Sequence, residues 1–123
     1  MTEQNLKTIT LEAGQDLSAK QNHFVSLASD GQIDPTGDGA NAEGVLQNAP
    51  SWAGAAATVA IEGVSQVIAG AAITRGASIA SDSSGKAKTA ATGNRVLGKA
   101  LDAAAADGDI IRVLLKVQGA PNA

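Results

Sequence analysis

The chain has 123 residues, one histidine, one tryptophan, one phenylalanine, no tyrosine, no cysteine and a net charge of -3. Without cysteine there are no disulfides, thiolate metal sites or cysteine nucleophile. The nine Lys and Arg are spread along the sequence, against the basic patch that nucleic acid requires, and no apolar run approaches the roughly 20 residues of a membrane span.

This length holds one domain or at most two very small ones. The hydrophobic fraction is 44%, but Ala supplies 26 residues against 25 for Leu, Ile and Val together. Ala buries little area at about 25 cal/mol per Å², so the core is thin. Part of the stability is expected to come from partners.

The N-terminus lacks a basic stretch followed by an apolar one, so synthesis in the cytoplasm is expected. Residues 1–16 read as an extended N-terminal arm. In it Leu6, Thr8 and Thr10 share one face of a short strand and Lys7, Ile9 and Leu11 the other, until Glu12–Asp16 breaks the pattern. A strand follows at Phe24–Leu27, closed by a turn at Ser29-Asp30-Gly31. Asp34–Gly39 reads as loop, Gly44–Gln47 as a strand ended by Asn48-Ala49-Pro50. Thr58–Ile61 and Val64–Ile68 form two strands joined around Glu62-Gly63. Ala77–Ala80 and Lys86–Ala90 flank the hairpin-like turn Ser81–Gly85, and Val96–Leu101 and Ile110–Val117 complete the set. The runs Ala55–Ala57 and Ala103–Ala106 favour helix by propensity but are short. They read as loops or single turns, with a short helix at 103–106 as the alternative.

Short strands with turn signals every 8–12 residues predict an all-β fold, a small barrel or sandwich of antiparallel strands spanning 17–117. Residues 118–123 are expected to fray. Sliding the sequence by 54 places Gly31 on Gly85, Gly39 on Gly93, Gly44 on Gly98 and Gly54 on Gly108. Val59-Ala60-Ile61 falls on Val113-Leu114-Leu115. A shared glycine frame predicts a shared backbone path, and hence two similar halves, 17–63 and 71–117.

Chemical motifs are few. His23 has no second His or fixed-spacing carboxylate beside it and reads as a surface or strand-edge residue rather than a base or ligand. Asp30, Asp34 and Asp38 lack calcium-loop spacing, and Asp102, Asp107 and Asp109 read as turn caps. Ser84-Gly85-Lys86 fails as a phosphate loop because Ala80 and Ala87 stand where Gly and a hydroxyl are needed. No G-x-S-x-G or G-x-G-x-x-G occurs. No catalytic residues, metal or cofactor are assigned. Trp52, in a loop, either folds onto its own domain or anchors an interface. Arg75, Lys86, Lys88 and Arg95 form a positive patch or are separately solvated.

Several segments carry a resemblance. Leu17–Val25 resembles the opening strand of the tailed-phage capsid cement (decoration) protein family, and Gly44-Val45-Leu46-Gln47-Asn48-Ala49-Pro50 its GVLQN-x-P segment. Ala57–Ala60, Gly63-Val64, Ala77–Ala87, Val96–Leu101 and Gly108–Leu115 follow in that family's order. The likeness spans about residues 5–117, with Lys99 and Arg112 standing where apolar or small residues are common. It implies a non-enzymatic protein that binds the outside of the expanded head, clamps neighbouring major capsid subunits and resists DNA pressure. It also implies a place on the virion and self-association, as trimers or alternatively dimers. The residues set against capsid or a second copy are Leu6, Thr8, Ile9, Thr10, Leu11, Trp52, Arg75 and Arg95, with the N-terminal segment adding to an exposed capsid strand edge. The alternative is a binding module, such as a head-fibre base or host-surface adhesin domain. The scarcity of aromatics argues against a carbohydrate-binding groove.

Overall fold

The computed structural model describes residues 6–115. They form nine strands: β1 (Lys7–Ala13), β2 (Phe24–Leu27), β3 (Gln32–Pro35), β4 (Gly44–Leu46), β5 (Ala56–Ile68), β6 (Ser78–Ser81), β7 (Ala87–Thr89), β8 (Gly98–Ala100) and β9 (Ile110–Leu115). All-β architecture follows from the alternation in these segments. In β9, Ile111, Val113 and Leu115 are buried while Ile110 and Leu114 face outward.

The pairings run in two rings joined by β5. In the first, β1 pairs with β3, β3 with β2, β2 with β4, β4 with β5, and β5 with β1. In the second, β5 pairs with β9, β9 with β8, β8 with β6 and β6 with β7. A parallel bridge from Ala69 to Ala87 brings β7 back to the end of β5. Among the described residues, only the β1–β3 pair and this bridge are parallel.

Register repeats at the 54-residue shift. Val25 opposite Pro35 becomes Ile79 opposite Thr89. Phe24 opposite Val45 becomes Ser78 opposite Lys99, and Leu46 opposite Val59 becomes Ala100 opposite Val113. The frame also reaches further toward the N-terminus than residue 17, at a shift of 56. Ala13 N donates to Ala55 O as Ala69 N donates to Asp109 O, and Leu17 N to Pro50 O as Ile73 N to Ala104 O. The N-terminal segment therefore contributes β1 to the first ring, where it matches the second half of β5.

Two glycines show why the frame is kept. Gly44 lies against the carbonyl of Ala60 and the side chain of Val59. Gly98 lies against the carbonyl of Leu114, 2.5 Å from where a Cβ would stand, and the side chain of Val113. These neighbours are the same pair displaced by 54, so the two halves share one close backbone crossing. At the joint between them, Gly63 takes φ of 102° within β5, a conformation L side chains rarely adopt. β5 also bulges here, since Lys7 faces Glu62 and Thr8 faces Ala60, leaving Ile61 without an opposite residue.

The first ring encloses Ala13, Leu17, Val25, Ile33, Leu46, Ala57 and Val59. Their counterparts Ala69, Ile73, Ile79, Ala87, Ala100, Ile111 and Val113 lie in a second cluster with the residues that join the units, among them Phe24, Val45, Ala60, Val67, Leu97 and Leu115. Phe24, the one phenylalanine, is thus spent on the joint.

Several expectations are corrected. Asp34-Pro35 ends β3 rather than opening a loop, because Ile33 pairs with Leu27 and Pro is tolerated at a strand end. Ala56-Ala57 starts β5 instead of forming a turn, and the strands expected at 58–61 and 64–68 are one strand of 13 residues, since Gly63 turns the backbone without breaking its pairing. Ala104 bridges Ile73 in an extended segment, so residues 103–106 hold no helix. Residues 1–5 of the arm, 116–117 of the expected last strand and the tail at 118–123 lie outside the described residues.

Gly44→Ala and Gly98→Ala are each expected to destabilise the fold by about 1–3 kcal/mol, because a backbone carbonyl cannot swing aside. Gly37→Ala, with nothing within 4 Å of the added Cβ, should leave stability unchanged within about 0.5 kcal/mol. Chemical denaturation of the three variants checks this.

Candidate interaction surface

The residues set against partners fall in separate places. β1 pairs with β5 along Lys7–Glu12 on one edge and with β3 only at Glu12 and Ala13 on the other. Over the rest of that second edge, no strand among the described residues pairs with it. Leu6, Thr8, Ile9 and Thr10 are exposed, whereas Leu11 is half-buried against the first core cluster. Trp52 is 66% exposed. Its loop is tied to the far end of β1, where Gly54 N donates to Ala13 O at 2.7 Å, roughly 20 Å along the strand from Leu6. Trp52 does not fold onto its own domain. Arg75 belongs to the second unit, near Asp102. Arg95 sits at the joint, its backbone N donating to Gly39 O at 3.0 Å. Trp52 and the Leu6 end of β1 thus stand apart.

The other charges have local employment. Lys86 pairs with Asp107 at 3.0 Å and Lys88 with Asp38 at 2.6 Å, so two members of the expected positive patch are engaged. Such pairs at partly exposed sites contribute little to stability. Asp30 accepts from the backbone N of Gln32, and Asp34 accepts from the Gln15 side chain. Arg112 grips Asp102 with two parallel hydrogen bonds of 2.9 Å, and its backbone N adds a third. In the first unit Asn48 occupies the same place, its Oδ1 accepting from Thr58 N. The Asn of the GVLQN segment is therefore a strand clamp.

His23 is buried, not at the surface. Its backbone N donates to Lys20 O and its carbonyl accepts from Leu46 N, which fixes it just ahead of β2. Its ring Nδ1 lies 3.0 Å from the Gln21 carbonyl and must carry the proton, since a carbonyl only accepts. Burial, aided by Lys20 and Lys86, holds its pKa below 6.5 against the opposing effect of that hydrogen bond.

The phage cement protein family matches residues 2–116. The chain belongs to that family. Among solved structures, the head fibre gp8.5 N base of bacteriophage phi29 is similar, with a TM-score of 0.69 and 20% identity, over 91% of this chain and 95% of that one. At that identity the likeness shows a shared fold. No curated protein matches the sequence significantly.

In this cement-family chain, sequence reasoning missed a second region. Gly76, Ser78, Val96, Gly98, Lys99 and Leu114 line an open groove of about 380 Å³ on the outer side of the second unit. Leu27 and Leu114 are exposed, at 47% and 40%. Strict alternation in β9 already turns Leu114 outward, and the 54-residue frame sets it against Ala60, so the signal was present in the sequence.

Two pH effects follow. Because the pKa of His23 is lower in the fold, the unfolded chain takes up its proton first as pH falls below about 6.5. Stability contributed by the neutral ring is complete above that pH and is lost as pH falls toward the folded pKa. Thermal unfolding from pH 7 to 5 should show a falling midpoint that flattens in His23→Gln. Asp102 is held down to about 2 by hydrogen bonds from Arg112. Its contribution is complete above about pH 4 and lost as pH falls toward 2, a dependence that Asp102→Asn should remove.

Proposed function

We propose that this protein is a capsid cement protein that binds the outer surface of the expanded phage head and ties neighbouring major capsid subunits together against DNA pressure. The observation that carries the reading is the family match across residues 2–116. The role is structural rather than catalytic. The exposed Trp52 and the outward side chains Leu6, Thr8 and Thr10 of the β1 segment supply the contact. An exposed tryptophan is a typical interface anchor, and many modest copies on one shell gain strength through avidity. The fold shared with a head-fibre base supports a second reading, attachment of a fibre to the head. A projecting fibre seen on the virion would favour it.

Co-sedimentation with purified heads tests the proposal. Binding to expanded but not to unexpanded heads is expected, and Trp52→Ala should weaken it tenfold or more. As the one tryptophan, Trp52 reports directly: its emission should shift to the blue on the head. Equal binding to both head forms, or absence from the virion, would overturn the reading.

A further inference from the structure

The joint between the two units is itself a template for an interface. Phe24, Val45 and Ala60 point out of the first ring, yet they are fully buried in one cluster with Val67, Leu97 and Leu115 of the second unit. Main-chain bonds cross the same joint: Ile68 N donates to Asn22 O at 3.0 Å, Phe24 N to Gly85 O at 2.7 Å and Gly39 N to Ser81 O at 2.8 Å. The Ser65 hydroxyl accepts from Gln47, and that of Ser81 donates to Thr36 O. The contact is head to tail, since one face of the first unit meets a different face of the second.

The repeat frame carries both faces onto the rest of the molecule. Asn22, Phe24, Ala42, Val45 and Ala60 map onto Gly76, Ser78, Val96, Lys99 and Leu114, which line the open groove. No third unit covers them among the described residues. The opposite face also recurs. Ser65, Ser81 and Leu115 map onto Ile9, Leu27 and Ile61 of the first unit. Sequence and exposure are matched in a telling way. The small covered residues Ala42, Ala60, Ser65 and Ser81 become the larger apolar Val96, Leu114, Ile9 and Leu27 at the open copies, the last three at 40%, 38% and 47% exposure, while covered Phe24 and Val45 become Ser78 and Lys99. Large apolar side chains at the open copies of positions that are otherwise covered mark a contact surface. Charge agrees, because the groove presents Lys99 while Glu12, Asp34 and Glu43 take the places of Ile68, Lys88 and Leu97 on the other face.

We infer that the groove of the second unit receives the Ile9–Leu27–Ile61 face of the first unit of another copy, repeating the internal joint between chains. The edge of β5 that makes the Ile68 bond corresponds to the open edge of β1, so the second copy also meets that edge. A contact of this kind uses two different faces and propagates into a ring or an open chain.

Sedimentation of the purified protein over a concentration series, followed by mixing of variants, tests this. Wild-type protein should associate as concentration rises. Leu114→Glu, in the groove, and Leu27→Glu, on the opposite face, should each remain monomeric. An equimolar mixture of the two should form a one-to-one heterodimer and nothing larger, because each variant keeps the face that the other lacks. Lys99→Glu, at an exposed site, is a groove variant that spares the fold if Leu114→Glu fails to fold, and it should weaken association at least tenfold. A wild-type protein that stays monomeric at high concentration, variants that assemble like wild type, or a mixture that stays monomeric would each overturn the inference. These readouts involve no heads, so their failure leaves capsid binding standing, and failure of capsid binding leaves them standing.

Discussion

The whole arrangement hangs on one strand. β5 is the last strand of one ring and the first of the next, and it passes between them without a loop. That continuity demands a residue able to take a positive φ at the crossing, which Gly63 supplies, and a bulge at Ile61 to reset the twist. With the crossing fixed, the second unit lands on the outer face of the first, and Phe24 must be covered. The position of every joint residue follows from this one connection.

The same connection explains how a chain so poor in large side chains holds together. Each ring is lined by only a few aliphatic side chains, and Ala13 and Ala57 in the first and Ala69 and Ala87 in the second are among them. A ring of this kind is too small to enclose much apolar area. Its outer surface does the remaining work by packing on its neighbour. Family membership adds a setting in which still more surface can be covered.

Much of this was legible in the sequence. The glycine frame predicted the repeated path, and the alternation in β9 and the turn at Ser81–Gly85 located their strands, with Asp82 bonding the backbone N of Ser84 and Lys86. β3 escaped because Gln32-Ile33-Asp34-Pro35 carries a single branched aliphatic residue and its neighbours look like turn. Its repeat counterpart β7 at 87–89 was recognised, and moving that strand back by 54 would have found β3. The length of β5 escaped because glycine usually signals a break. His23 looked exposed because nothing local reveals that Gly85 and the second unit close over the residue beside it. Exposed apolar residues were the least legible: single exposed side chains carry no pattern, and Leu27 and Leu114 stand out only when compared with their buried counterparts.

The crossing in β5 also decides where the first and last described strands meet. Lys7 pairs with Glu62, and Leu115 pairs with Gly63. The first and last described strands thus converge on adjacent residues in the middle of the molecule, on the order of 10 Å apart. Trp52 and its counterpart Ala106 occupy loops at the other ends of these strands. A passenger joined directly to Lys7 or to Leu115 would leave from beside Glu62 and Gly63 in the middle of β5. A short linker from Leu115 to Lys7, with the chain reopened at the Trp52 loop, would give a permuted chain with the same set of strand pairs.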